Sequence, residues 1–163
     1  MGRWRAPQAA ASPYITPQGY ADLQAELKAL WQRRAEVVKA LSAAAAEGDR
    51  SENAEYIYRK KELGGIDRRI RYLQKRMPDL NVIDATPESA RIFFGAWVTL
   101  EPDSGDTKRY RIVGADEADA EKNYISIDSP LAQGLLKKEV DDEITLEING
   151  QRTTLVIKSI SYK

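Results

Sequence analysis

Histidine and cysteine are both absent from the 163 residues. Without cysteine there is no disulfide framework, no thiolate zinc site and no cysteine nucleophile. Without histidine the commonest general base and transition-metal ligand are missing, and a Ser-His-Asp triad is excluded. Any metal must therefore be a hard cation held by Asp and Glu oxygens. Long apolar runs are missing too. No stretch approaches a membrane span, and Met1 to Ser12, rich in Ala and Pro with Arg3 and Arg5, has no signal-peptide core. Ala6 also breaks the myristoylation pattern. Residues 1–13 read as a disordered extension, and a cytoplasmic protein with no membrane contact is expected.

Net charge is zero only in sum. Residues 1–78 carry 15 Lys/Arg against 9 Asp/Glu, a net of +6, and residues 79–163 carry 10 against 16, a net of −6. The first half is suited to meet a polyanion. The division coincides with a change of apolar period. From Tyr20 the pattern steps by three and four through Leu23, Leu27, Leu30, Arg34, Val37, Leu41 and Ala44. It resumes at Tyr56, Arg59, Leu63, Ile66, Ile70, Leu73, Met77 and Leu80, with Gly48-Asp49-Arg50-Ser51 between. This is an a/d seam interrupted by a helix stop and a new start. Folding back at Arg50 sets Leu23 against Met77, Leu27 against Leu73, Leu30 against Ile70, Val37 against Leu63 and Ala44 against Tyr56. An antiparallel coiled-coil hairpin over residues 14–84 follows, with arms of about 45 Å at roughly 1.5 Å per residue. Arg34 and Arg59 stand at seam positions, where they can snorkel or fix register. Gly64-Gly65 interrupts the second arm, and a bend or a close helix approach is the expectation there.

After Asp84 the period becomes two. Strands are expected at Phe93 to Glu101, Lys108 to Gly114 and Asn123 to Asp128, with a short helix from Ser129-Pro130 to about Lys137. Ile144 to Ile148 and Thr153 to Ile160 read as a hairpin across Asn149-Gly150. The fold class is therefore α+β: the helical hairpin, a hinge at Ala85-Thr86-Pro87-Glu88, and a small α+β domain over 85–163.

Two features could carry chemistry. At 47–56 the hairpin tip crowds carboxylates, among them Asp49 and Glu52. One reading is structural, with Asp49 as N-cap and Glu52 closing a capping box. The other is that both help to hold Mg²⁺, which takes one or two carboxylates beside waters and substrate phosphates. A thin rod encloses no pocket, so such a tip would complete a site that lies elsewhere. Along the second arm run Arg59, Lys60, Lys61, Arg68, Arg69, Arg71, Lys75 and Arg76, against only Glu62 and Asp67. That stripe suits sequence-independent phosphate contacts, or else is a solvated face.

These residues resemble a known family. Gly48-Asp49-Arg50-Ser51-Glu52-Asn53-Ala54-Glu55-Tyr56 is similar to the tip signature of the GreA/GreB transcript cleavage factors. Ile66-Asp67-Arg68-Arg69-Ile70-Arg71-Tyr72-Leu73 resembles the GreB form of the second helix. Phe93-Phe94-Gly95-Ala96-Trp97-Val98 and Tyr124-Ile125-Ser126-Ile127-Asp128-Ser129-Pro130 resemble the C-terminal domain. The resemblance covers nearly all of Tyr14 to Lys163, and Leu30-Trp31 with the dense stripe favours the GreB branch. It implies an FKBP-like C-terminal domain that docks on RNA polymerase core through Asp128, Ser129 and Pro130. It implies a hairpin that enters the secondary channel, where Asp49 and Glu52 share Mg²⁺ with the polymerase. The polymerase then cuts its own backtracked RNA, so this chain is not an enzyme alone. Lys60, Lys61, Arg68, Arg69, Arg71 and Lys75 would face the nascent RNA 3′ segment, and a monomer is expected. A channel-binding regulator without cleavage, and a coiled-coil adaptor without polymerase, are the alternatives.

Overall fold

The computed structural model describes residues 10–47, 53–84 and 86–163. In chain order its elements are β1 (Tyr14–Ile15), α1 (Pro17–Ala45), α2 (Ala54–Arg76), a 3-10 turn at Met77–Asp79, β2 (Asn81–Val82), β3 (Trp97–Pro102), β4 (Lys108–Val113), 3-10 turns at Ala115–Glu117 and Ala120–Lys122, β5 (Tyr124–Ser126), α3 (Pro130–Leu135), β6 (Glu143–Ile148) and β7 (Gln151–Ser161). The class is α+β. Two compact units form, Tyr20–Leu80 and a sheet-bearing unit of Asn81–Lys163 with the described residues before Tyr20.

In the helical unit the heptad seam is the buried seam. Leu23, Val37, Ala44, Ile66, Ile70, Leu73 and Met77 are buried. Val37, Ile66 and Ile70 form one cluster with Leu27, Leu30 and Leu63, which is the antiparallel pairing that folding at Arg50 requires. Each such side chain stabilises by about 1.5–3 kcal/mol, whereas an exposed ion pair contributes about 0–1. Apolar burial therefore sets the pairing and the charges refine its register. Cross-helix pairs join Arg33 to Glu62 at 2.7 Å, Arg34 to Asp67 at 2.7 Å and Arg69 to Glu26 at 3.0 Å. Arg34 meets its seam position by turning its guanidinium sideways onto Asp67, and Arg59 does the same toward Glu55 and Glu62. Arg33 above all, then Arg59, holds the Glu62 carboxyl below its ordinary range.

Of the two expectations for Gly64-Gly65, the close helix approach is corrected. α2 runs unbroken through both glycines. A Cβ on Gly64 or Gly65 would meet only the end of the Arg68 side chain, at 3.4 Å and 3.8 Å. No atom of α1 comes that close, so the pair does not serve helix approach.

In the sheet-bearing unit the strand order is β5-β4-β3-β7-β6, with β4 and β5 parallel and the other pairs antiparallel. Val98, Leu100, Ile112, Ile144 and Ile157 pack with Ala132 and Leu135 of α3 and with Ile92 and Ala96. Asn149 and Gly150 have φ of 52° and 78°, the positive pair a two-residue hairpin turn demands. β3 starts at Trp97 and not at Phe93, because Gly95 turns at φ 88° and donates its N–H to the Ile112 carbonyl. α3 stops at Leu135, short of Lys137, whose φ of 68° leaves the helix and whose N–H bonds Ile92 O.

By packing contacts the chain divides at 19/20 and 80/81, beside the expected boundaries at 13/14 and 84/85. β1 and β2 pair in parallel, Tyr14 with Asn81 and Ile15 with Val82, and this two-residue ladder belongs to the sheet-bearing unit. Thr16 is buried, and its N–H and hydroxyl both donate to the Glu117 carboxylate. Its hydroxyl also accepts from Gly19 N at 3.1 Å, capping the first turn of α1. Gly114 N–H donates to Glu117 as well, and a Cβ on Gly114 would sit 1.9 Å from Tyr14 O. Only glycine fits there. Of the expected hinge at 85–88, Ala85 lies outside the described residues.

Candidate functional site

Asp49 and Glu52 lie outside the described residues, within 48–52. What brackets them is well defined. α1 ends at Ala45, and Glu47 just beyond it is exposed. α2 begins at Ala54, and its cap is Asn53, whose side-chain oxygen accepts from Tyr56 N at 3.1 Å. The Asn53 amide also donates to the Ala44 carbonyl at 2.8 Å. One side chain thus starts α2 and adds a second donor to a carbonyl in the last turn of α1, which also accepts from Glu47 N at 3.2 Å. α2 takes its cap from Asn53; the capping-box reading itself falls on Asp49 and Glu52, outside the described residues. Asn53 was legible as a cap residue followed by Ala-Glu-Tyr, but two acids three apart made a stronger pattern. Among the remaining tip acids, Glu55 pairs with Arg59 at 2.8 Å.

The basic stripe divides. Lys60, Lys61, Arg68, Arg71 and Lys75 are exposed, and none pairs with a carboxylate among the described residues. Arg69 differs. It is half-buried, forks onto both oxygens of Glu26, and stands 5.2 Å from the Tyr72 ring centre. Its charge is spent on joining the helices. Spacing alone could not reveal this, since it depends on Glu26 of the opposite arm.

In the sheet-bearing unit Asp128 and Pro130 are exposed, and Ser129 is half-buried. The Ser129 hydroxyl accepts from Ala132 N at 3.2 Å, and Pro130 occupies the first turn of α3, as the sequence suggested. Asp128 accepts from Ser12 N at 2.9 Å and from the Ser12 hydroxyl. Of the extension expected to be disordered, residues 1–9 lie outside the described residues, while Ser12 is tied to this loop. Among the described residues no cluster of three or more acids could hold a metal ion. None of their helices is long and apolar enough to cross a membrane.

Comparison with known proteins covers nearly the whole chain. Residues 13–82 match the family described as transcription elongation factor, N-terminal, and residues 87–162 match transcription elongation factor, GreA/GreB, C-term. The transcription elongation factor GreB of Xanthomonas axonopodis pv. citri is 58% identical over 99% of this chain and 98% of its own length. That of Pseudomonas aeruginosa is 51% identical over the same shares. Among solved structures, one of the transcription factor Gfh1 has 24% identity and a TM-score of 0.46, covering 93% of this chain and 99% of that one.

Proposed function

The chain belongs to the GreA/GreB family of transcription elongation factors, and from that premise we propose that its hairpin tip serves an active centre belonging to RNA polymerase. In this reading the hairpin enters the secondary channel of the enzyme and stimulates cleavage of backtracked nascent RNA. The observation that carries it is the pair of hydrogen bonds made by Asn53, whose side chain donates to Ala44 O and accepts from Tyr56 N. That side chain closes the ends of both helices, so Asp49 and Glu52 are not needed to start α2 and remain available for other work.

Two carboxylates supply hard oxygen donors, the type Mg²⁺ takes, and too few to hold the ion without waters and phosphates. Mg²⁺ so shared would activate water or steady the leaving oxygen in phosphodiester hydrolysis. Asp49 and Glu52 would hold it, and Asn53 would keep the tip closed while they do. The seam of Val37, Ile66 and Ile70 holds the two helices together, so that the tip they carry can be delivered. Lys60, Lys61, Arg68, Arg71 and Lys75 would offer charge to the extruded RNA, with no preference for sequence. Asp128 and Pro130 would form the docking surface on the polymerase rim, and Ser129 would shape it through its cap. The chain contributes no complete catalytic site and acts in the cytoplasm, where the polymerase works.

The test is direct. A stalled, backtracked elongation complex incubated with the chain and Mg²⁺ should yield shortened RNA whose new 3′ end can be extended. A complex whose RNA keeps its length, although the chain is bound to it, contradicts the reading.

A further inference from the structure

We propose that Trp31 is a stacking platform for a base of single-stranded RNA, set beside the cations Arg68, Arg71 and Lys75. The proposal deepens the reading above, since it names where on the hairpin a base is held. Trp31 follows the seam residue Leu30 on α1 and is 47% exposed. An indole so exposed adds little to the seam and leaves much of its ring open to solvent. Its surroundings combine apolar surface with charged and amide groups. With Arg34, Asp67, Ile70, Arg71 and Gln74, it lines an open groove of about 420 Å³.

The charges in that groove are sorted. Asp67 is neutralised by Arg34 at 2.7 Å, and the same guanidinium stands 6.0 Å from the Trp31 ring centre, fixing a cation at the ring. Arg71 has no carboxylate partner among the described residues, nor do Arg68 and Lys75 one turn to either side of it. Gln74 offers a donor and an acceptor at the groove wall. A partner helix would need an apolar seat, and only Trp31 and Ile70 are apolar here. A single strand needs an exposed ring for its bases and a row of cations for its backbone, and this groove has both. Duplex keeps its bases stacked and could use only the cations.

The experiment uses the full-length chain with Trp31→Leu and Trp31→Phe variants. Fluorescence anisotropy at low salt reads the affinity for a labelled oligouridylate, and displacement of it by inorganic polyphosphate reads charge without bases. Trp31→Leu should weaken the oligonucleotide about tenfold, Trp31→Phe should keep most of the affinity, and polyphosphate affinity should stay unchanged in both. Equal oligonucleotide affinity in Trp31→Leu overturns the proposal, as does an equal loss for polyphosphate or no measurable binding by the parent chain. Cleavage of backtracked RNA by the parent chain is scored separately. If cleavage is absent while the Trp31 effect persists, the polymerase reading fails and the stacking site stands. If cleavage occurs and the Trp31 effect is missing, the reverse holds.

Discussion

The side chain of Asn53 donates to the carbonyl of Ala44 at 2.8 Å while capping its own helix through Tyr56 N. The two bonds separate when the residue is changed. Asn53→Asp keeps the cap but loses the donor and sets a carboxylate against a carbonyl. Asn53→Ala loses both. Asn53→Ala should therefore destabilise the hairpin by about 1–2 kcal/mol and Asn53→Asp by less. Both should lower stimulated cleavage and leave polymerase binding unchanged. Thermal melts with a cleavage assay check this, and wild-type stability in Asn53→Ala would remove the closing role.

The unpaired stripe predicts a dependence on RNA length. Replacing Arg68, Arg71 and Lys75 with Ala should reduce action on extensively backtracked complexes more than on slightly backtracked ones, because a longer extruded strand offers more phosphates. Cleavage time courses on the two substrates give the comparison. Equal loss on both would return these cations to the solvated face.

Gly64 and Gly65 have room for a methyl group and no backbone feature that needs glycine. Gly64→Ala and Gly65→Ala should each stabilise α2 by about 1 kcal/mol, visible as a higher melting temperature of the hairpin. A lower melting temperature would show that the helix uses the pair in a way its neighbours do not reveal.

Glu62 gives the hairpin a pH dependence of known sign. Its carboxyl is held down from 4.5 by Arg33, then by Arg59, so the unfolded chain binds its proton more readily than the folded one. The stabilisation is present above about pH 4.5 and fades as pH falls through the lower folded value. Denaturant melts of Glu62→Gln between pH 3 and 6 should be flatter than those of the parent on the roughly one-carboxylate scale expected. Parallel curves would mean that the pair contributes nothing to folding.

The seam was legible because heptad spacing is a local pattern, and the mirrored partners of Val37 followed from geometry. The strands at β4, β6 and β7 were legible from alternation and from Asn149-Gly150. β1 and β2 were not, since two-residue parallel strands 67 positions apart carry no period. Thr16 and Glu117 were hidden for the same reason, although Gly114 marked the place where a backbone passes too closely for a side chain. At the site, the exposed cations could be read from the second arm alone. Arg69 could not, because Glu26 decides its fate from the other arm.

In the proposed function Asp49 and Glu52 work on a metal and not on the fold. Asp49→Asn and Glu52→Gln preserve shape and hydrogen-bonding capacity while removing charge, and Asn53 still caps α2 in both. The measurement is RNA shortening in a backtracked complex, with polymerase binding read in parallel. Both variants should bind as the parent does and stimulate little or no cleavage. Parent-level cleavage in both variants would contradict the account and leave the tip acids without a catalytic task.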